Sequence, residues 1–128
     1  MDKARILVVD DDVEMQNVLP IFLKRILDCD VVVTGNGSDA IRELDSGTFQ
    51  MIVQDLQMPG MDGFSVLAHA VKRQPRMVRI VLTGIVDPAI TRRVESMGAT
   101  YVSKPPELNV LKLIIKRELG RYVSGPAA

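Results

Sequence analysis

Acidic side chains follow two apolar runs of this 128-residue chain. Asp10, Asp11 and Asp12 close the first run, and Asp55 closes another near the middle of the sequence. Because all strands of a parallel sheet end at the same edge, we expect these carboxylates to lie close together. Clustered carboxylates repel one another, and a hard cation with oxygen ligands offsets that repulsion. The four aspartates therefore predict a Mg²⁺ site.

Further side chains suited to phosphate chemistry follow later apolar runs. Thr83 supplies a hydroxyl group, and Lys104 supplies an ammonium group that suits phosphate oxygens. Asp55 precedes a stretch rich in proline and glycine, residues 56–63, which is typical of an exposed loop. A carboxylate on such a loop can act as a nucleophile and form an aspartyl phosphate. Together these groups match the needs of phosphoryl transfer, where the protein positions groups and neutralises charge.

Five short apolar runs alternate with segments that have helical spacing. The runs are continuous, which is typical of parallel strands buried on both faces. They cover residues 6–9, 31–33, 51–53, 80–82 and 101–102. Strand–helix alternation repeated five times predicts a parallel sheet with helices on both faces. We expect Ser38 and Asp87 to cap helices, and Pro20 to kink the first helix or delay its start.

Composition narrows the class of protein. With 47% apolar and 25% charged residues, the chain is typical of one globular domain, which we place at residues 1–123, followed by a loose tail at 124–128. Sixteen basic and sixteen acidic residues leave no net charge, which argues against nucleic-acid binding. The single Cys29 excludes an internal disulfide framework. We find no signal-peptide core and no membrane-length apolar run, so we expect a soluble, cytoplasmic protein.

The combined motifs resemble the receiver domain of two-component response regulators. The resemblance covers about residues 5–119, nearly the whole chain. It implies a flavodoxin-like α/β fold, a doubly wound (βα)₅ sandwich whose five-stranded parallel sheet has the order 2-1-3-4-5. The matching residues are Asp10-Asp11, Asp55 with Met58-Pro59-Gly60-Met61-Asp62-Gly63, Thr83-Gly84, Gly98-Ala99, Tyr101 and Lys104-Pro105.

The resemblance assigns roles around the acceptor. It implies that Asp55 accepts a phosphoryl group from a histidine kinase or a histidine phosphotransfer protein. It also implies that Asp11 is a direct Mg²⁺ ligand, that Asp10 is a partly water-mediated ligand, and that the backbone carbonyl of Gln57 is a third protein ligand beside Asp55. Asp12 has no fixed role in the family, and it could cap the first helix.

The resemblance also assigns the residues of a switch. It implies that Lys104 pairs with the acceptor carboxylate, that Thr83 moves toward the phosphoryl oxygen, and that Tyr101 then turns inward. The Lys104-Pro105 bond is usually cis in the family. The surface of the fourth helix, fifth strand and fifth helix often contacts a downstream protein or a second copy of the chain. Such a domain is a phosphoacceptor rather than a classical enzyme.

Two alternatives of other classes remain at this point. The first is an interaction module of the same fold that is never phosphorylated, although every expected site residue is present. The second is a Mg²⁺-dependent hydrolase that uses Asp55 as a covalent nucleophile, for which no general-acid motif is found. The last helix leaves a further choice between deep packing and a second, exposed apolar face. We expect His69 to be a surface histidine.

Overall fold

The computed structural model of the chain describes residues 3–123. The expected loose tail at 124–128 lies outside the described residues. Strands and helices alternate five times, as predicted. The elements are β1 Ala4–Val9, α1 Val13–Ile26, β2 Cys29–Thr34, α2 Gly37–Ser46, β3 Met51–Gln54, α3 Gly63–Arg73, β4 Val78–Thr83, α4 Pro88–Ser96, β5 Thr100–Ser103 and α5 Leu108–Val123.

The strands form one parallel sheet in the order β2-β1-β3-β4-β5. This confirms the predicted (βα)₅ arrangement. The last residues of neighbouring strands are paired: Val9 of β1 lies opposite Gln54 of β3, and Thr83 of β4 lies opposite Ser103 of β5. The residues that follow these positions, among them Asp10 and Asp55, consequently emerge at one edge.

Strand side chains alternate between two apolar layers. Ile6 and Val8 of β1 pack with α1 and α5, whereas Leu7 and Val9 pack with α2 and α3. All four are fully buried. Because burying one such side chain contributes about 1.5–3 kcal/mol, strand β1 is firmly held on both faces. A third cluster joins α3, β4 and α4 around Leu67.

Side-chain caps fix where the helices begin. Asp12 and Asp62 accept hydrogen bonds from backbone N–H groups in the first turns of α1 and α3. Asp87 caps α4 ahead of Pro88, as predicted. The prediction of Ser38 as a cap is wrong, because α2 begins at Gly37 and Asn36 accepts from the N–H group of Asp39 at 2.8 Å. Ser38 therefore lies inside the first turn.

Helix α1 tolerates its internal proline. The expectation of a delayed start is wrong, since α1 runs without interruption through Pro20. A proline removes one backbone donor. The buried side chains of Met15, Leu19 and Leu23 hold the helix on the sheet, and such packing supplies most helical stability in proteins. A kink at Pro20 stays a prediction.

Helix α5 has both a buried and an exposed apolar side. Leu111 and Ile115 are fully buried, but Val110 is 50% exposed and Leu113 is 68% exposed. Of the two alternatives left open for this helix, the structure therefore favours a second, exposed apolar face, and the use of that face as a contact surface stays a prediction. Across the part of the chain described here, none of the helices combines the length and apolarity that a membrane crossing requires.

Candidate functional site

A lysine joins two carboxylates at the carboxyl edge of the sheet. The Nζ atom of Lys104 lies 2.8 Å from Asp10 Oδ2 and 2.9 Å from Asp55 Oδ2. Lys104 follows β5, and its backbone N–H donates to the carbonyl of Thr83 at 2.9 Å. The side chain thus reaches from the edge strand to the ends of β3 and β1. The predicted convergence of these residues is present in the structure.

Backbone donors hold the carboxylate of Asp55 in place. Its Oδ1 atom accepts hydrogen bonds from the N–H groups of Leu56, at 2.7 Å, and Gln57, at 3.2 Å. The residue is only 5% exposed. Donors on one oxygen and the ammonium of Lys104 on the other fix the orientation of the group, with little exposure to water. A nucleophile needs such positioning before an incoming phosphorus atom can be attacked.

Asp10 is buried at the end of β1. Its Oδ1 atom accepts from the N–H group of Asp12 at 2.9 Å, and its carbonyl accepts from Gln16 Nε2 at 2.7 Å. Burial raises the pKa of Asp10, and the hydrogen bonds from Lys104 and Asp12 reverse that effect only in part. The ionised form of Asp10 is therefore costly unless more positive charge arrives.

The pKa of Lys104 shifts the opposite way from what burial alone would cause. Burial lowers the pKa of an ammonium group, but the hydrogen bonds to Asp10 and Asp55 outweigh this effect and raise the pKa of Lys104. Lys104 therefore stays charged at neutral pH. It supplies one positive charge to a site with more than one carboxylate.

Three carboxylates can share a cation at this edge. Oxygen atoms of Asp10, Asp11 and Asp55 lie within 4.8 Å of one another, and Asp11 is exposed while the other two are buried. Three negative charges against one lysine leave an excess that suits a divalent cation with oxygen ligands. Asp12 is not a member of this cluster, because its carboxylate caps α1 at the N–H group of Glu14. The carbonyl of Gln57 stays a predicted ligand.

Thr83 and Tyr101 both form hydrogen bonds with the backbone of Ile85. Thr83 is fully buried, and its hydroxyl oxygen accepts from the N–H group of Ile85 at 3.3 Å. The carbonyl of Ile85 accepts a hydrogen bond from the hydroxyl of Tyr101, which is half-buried. The two residues predicted to move together are thus connected by a single residue. The predicted cis bond between Lys104 and Pro105 is confirmed.

His69 lies near the surface, as expected, and contacts Asp45 of α2 at 2.7 Å, remote in sequence from the acidic edge. The expectation of an exposed loop over residues 56–63 is wrong at both ends. Leu56 is buried, and Gly63 already begins α3 and lies against the backbone of Leu56. Sequence reasoning missed Gln54, whose amide donates to the backbone carbonyls of Asp55 and Gly63. The available signal was a polar residue ending an otherwise apolar, fully buried strand.

Comparison with known proteins decides the family. The model of the response regulator receiver domain matches residues 6–116. The chain belongs to that family. A receiver domain is a signalling switch of two-component systems, binds Mg²⁺ at an acidic pocket, and is not itself a classical enzyme. The cluster of Asp10, Asp11 and Asp55 lies where that acidic pocket is expected.

Relatives include both long and short proteins. A protein-glutamate methylesterase/protein-glutamine glutaminase 3 of Geobacter sulfurreducens is 27% identical over 98% of this chain and 34% of its own length. A probable chemotaxis protein CheY of Rhizobium etli is 28% identical over 93% of this chain and 95% of its own. The solved CheY-like receiver domain protein from Methanospirillum hungatei JF-1 is 25% identical, with a TM-score of 0.90 over 96% of this chain and 98% of its own.

This receiver domain is much shorter than some of its relatives. It spans about a third of the methylesterase, so that protein's catalytic activity is not carried over to this chain. The nearly equal lengths of this chain and the Rhizobium etli protein show that a receiver domain also occurs almost alone. The comparisons therefore identify the domain type.

Proposed function

We propose that this receiver domain is a phosphorylation switch and that Asp55 is its phosphoacceptor. The donor would be a histidine kinase or a histidine phosphotransfer protein. The observation that carries the proposal is the position of Lys104, whose ammonium contacts Asp55 and Asp10 at 2.9 and 2.8 Å. A cation already located at the acceptor is what an incoming dianionic phosphoryl group requires.

The transfer step makes one bond and breaks one bond. An Asp55 carboxylate oxygen attacks the phosphorus of the phosphohistidine, the phosphorus–nitrogen bond breaks, and the leaving imidazole nitrogen keeps the electron pair and takes a proton. Mg²⁺, held by Asp10, Asp11, Asp55 and the carbonyl of Gln57, would supply positive charge for the phosphoryl oxygens. The N–H groups of Leu56 and Gln57 orient the carboxylate for this attack.

Thr83, Lys104 and Tyr101 form the proposed response to phosphorylation. The new phosphoryl oxygens attract the hydroxyl of Thr83 and the ammonium of Lys104. A shift of Thr83 disturbs its bond to Ile85, and Ile85 also accepts from Tyr101. Tyr101 lies on β5, between α4 and α5 in sequence, so the change reaches the surface of those elements. A partner then distinguishes the two states of that surface.

The proposed function also implies the bounds of the domain, its cellular location and its contact surface. We place the functional domain at residues 1–123 and the protein in the cytoplasm, where histidine kinases present their phosphohistidine. The surface of α4, β5 and α5 would contact a downstream protein or a second copy of the chain. The exposed Val110 and Leu113 of α5 support such a contact, because they add apolar area outside the core.

Intact-protein mass spectrometry tests the proposal. The wild type is incubated with acetyl phosphate, with and without Mg²⁺, beside Asp55→Asn and the control Asp45→Asn. Asp45 is a matched control because its carboxylate lies on the α2–α3 surface, paired with His69 and Arg73. We expect one added phosphoryl group in the wild type and in Asp45→Asn. We expect none without Mg²⁺ and none in Asp55→Asn.

Three other results would contradict the proposal. A folded, Mg²⁺-binding wild type that gains no phosphoryl group would favour an interaction module that is never phosphorylated. Sustained turnover of small phosphoesters would instead favour a hydrolase with Asp55 as its covalent nucleophile. Addition of a phosphoryl group to Asp55→Asn at the wild-type rate would place the acceptor elsewhere.

A further inference from the structure

A buried glutamine spans the two ends of the loop that carries the acceptor. We call residues 56–62, between Asp55 and α3, the acceptor loop. The Nε2 atom of Gln54 donates to the carbonyl of Asp55 at 3.2 Å and to the carbonyl of Gly63 at 2.9 Å. These carbonyls flank the acceptor loop on either side. One side-chain amide therefore connects the point where the chain leaves β3 with the point where it enters α3.

Burial makes a polar residue costly at this position. Gln54 is 1% exposed and ends a strand whose four residues are all buried. The two carbonyl acceptors identify which end of the amide is Nε2, because an oxygen there would repel both of them. The Oε1 atom has no hydrogen-bond partner within the described residues. An unsatisfied buried acceptor is destabilising, so an apolar side chain of similar size would serve packing better.

The hydrogen bonds of Gln54 affect the position of Asp55 because the backbone around them is closely packed. A Cβ atom on Gly63 would lie 2.9 Å from the carbonyl oxygen of Asp55 and 2.4 Å from Leu56 Cα. The start of α3 thus rests directly on the residues that position the acceptor carboxylate. Any movement of Gly63 relative to Asp55 would move the N–H groups of Leu56 and Gln57 that bind its Oδ1 atom.

We propose that Gln54 is a positioning residue for phosphorylation of this receiver domain. It acts through the backbone: its amide fixes the distance between Asp55 and Gly63 and so fixes the carboxylate that attacks phosphorus. This inference rests on the proposed role of Asp55 as the phosphoacceptor. Gln54 touches neither the donor nor the phosphoryl group, so its loss lowers the rate of transfer without weakening donor binding.

The test compares Gln54→Met with Ile52→Val. Methionine keeps a similar volume but has no donor. Ile52→Val is the matched control, because Ile52 is fully buried on β3 two residues away, on the same face of the sheet. The rate of phosphorylation is measured over a range of acetyl phosphate concentrations with saturating Mg²⁺. We expect Gln54→Met to lower the maximal rate roughly tenfold at an unchanged half-saturating concentration, while Ile52→Val stays near the wild type.

A spectroscopic measurement separates positioning from general destabilisation. Backbone ¹H–¹⁵N spectra of both variants are compared with the wild type, without phosphodonor. We expect the N–H signals of Leu56 and Gln57 to shift or broaden in Gln54→Met but not in Ile52→Val. Equal maximal rates in the two variants, or unchanged signals of Leu56 and Gln57 in Gln54→Met, would overturn the proposal.

Two measurements distinguish a failure of this inference from a failure of the proposed function. If the wild type gains no phosphoryl group, the proposed function fails, and the N–H signals of Leu56 and Gln57 still decide whether Gln54 holds the loop. If Gln54→Met does not fold, the side-chain amide protons of Gln54 in the wild type decide the matter. Slow exchange of those protons with solvent would support the two hydrogen bonds, and rapid exchange would refute them.

Discussion

Replacing Gly63 with alanine would push a methyl group into the backbone of Asp55 and Leu56. The new Cβ would lie 2.4 Å from Leu56 Cα, 2.7 Å from the carbonyl oxygen of Leu56 and 2.9 Å from that of Asp55. Ordinary contacts between such atoms are about 3.5–4.0 Å. All three neighbours are backbone atoms, so rotation of a side chain cannot relieve the clash. The chain must instead separate α3 from the acceptor loop.

The expected cost follows from two opposing effects. Overpacking in a close-packed region costs about 1–3 kcal/mol, and the backbone neighbours place Gly63→Ala at the upper end of that range. Alanine is about 0.5–1 kcal/mol more favourable than glycine in the middle of a helix, and at Gly63, the first residue of α3, the gain is at most that amount. The net loss of unfolding free energy is then about 2 kcal/mol. With an unfolding entropy of about 0.27 kcal/mol/K for a chain of this length, the Tm should fall by about 7 °C.

Gly120→Ala is the matched control. Gly120 also lies in a helix, α5, but a Cβ atom there would meet nothing within 4 Å. The same substitution should therefore stabilise the protein by about 0.5–1 kcal/mol and raise the Tm by about 2–4 °C. Opposite signs for two identical substitutions would show that the local packing, and not helix propensity, decides the outcome at Gly63.

Calorimetry and phosphorylation give the two readouts for this pair. Thermal unfolding is measured without Mg²⁺, and phosphorylation by acetyl phosphate is measured well below both Tm values. We expect Gly63→Ala to be phosphorylated more slowly than Gly120→Ala even when both are fully folded, because the shift falls on Asp55 and Leu56. A rise in Tm for Gly63→Ala would refute the close approach of α3 to the acceptor loop.

Three further predictions concern separate parts of the domain. Asp10→Asn should weaken Mg²⁺ binding at least tenfold, as measured by titration calorimetry. In the wild type, the Mg²⁺ affinity should fall as the pH is lowered through the pKa of Asp10, which burial raises above that of an ordinary aspartate. A Mg²⁺ affinity that stays constant over that pH range would contradict a role for the ionised Asp10 carboxylate. The thiol of Cys29 is buried, and burial raises its pKa, so it should react with Ellman's reagent at pH 8 only after denaturant is added. Prompt labelling of the native protein would show that the thiol is accessible. In urea unfolding, Leu113→Ala should change the unfolding free energy by less than about 0.5 kcal/mol. Leu111 is fully buried on the same helix, so Leu111→Ala should lower the unfolding free energy by about 2–5 kcal/mol. Equal losses in the two variants would disprove the exposed apolar face.

Several features of the fold could be predicted because they depend on local pattern. Continuous apolar runs specified the five strands, and their alternation with helices specified a parallel sheet, whereas the strand order came from the resemblance to receiver domains. The convergence of Asp10, Asp55 and Lys104 followed, since residues after parallel strands share an edge. Each strand is one to three residues longer than its apolar run, because backbone pairing continues where side chains become polar, as at Thr34.

Features that depend on packing could not be predicted in the same way. Both Asn36 and Ser38 are good caps, and the choice depends on where the chain leaves β2. The tolerance of Pro20 depends on the buried side chains around it. The role of Gln54 was missed because its two acceptors, the carbonyls of Asp55 and Gly63, come together only once α3 folds back on β3.

The contacts of Lys104 with Asp10 and Asp55 affect how β5 separates from the rest of the sheet. Strand β5 lies at the edge of the sheet and pairs with β4 through the four residues Thr100–Ser103. Beyond that short ladder, Lys104 connects the edge to Asp10 at the end of β1, with β3 and β4 lying between them. Parting β5 and α5 from the sheet therefore means pulling an ammonium group away from two buried carboxylates. Hydrogen exchange at this edge therefore depends on the contacts of Lys104 with Asp10 and Asp55, so the local unfolding free energy of the edge should change whenever Asp55 is modified.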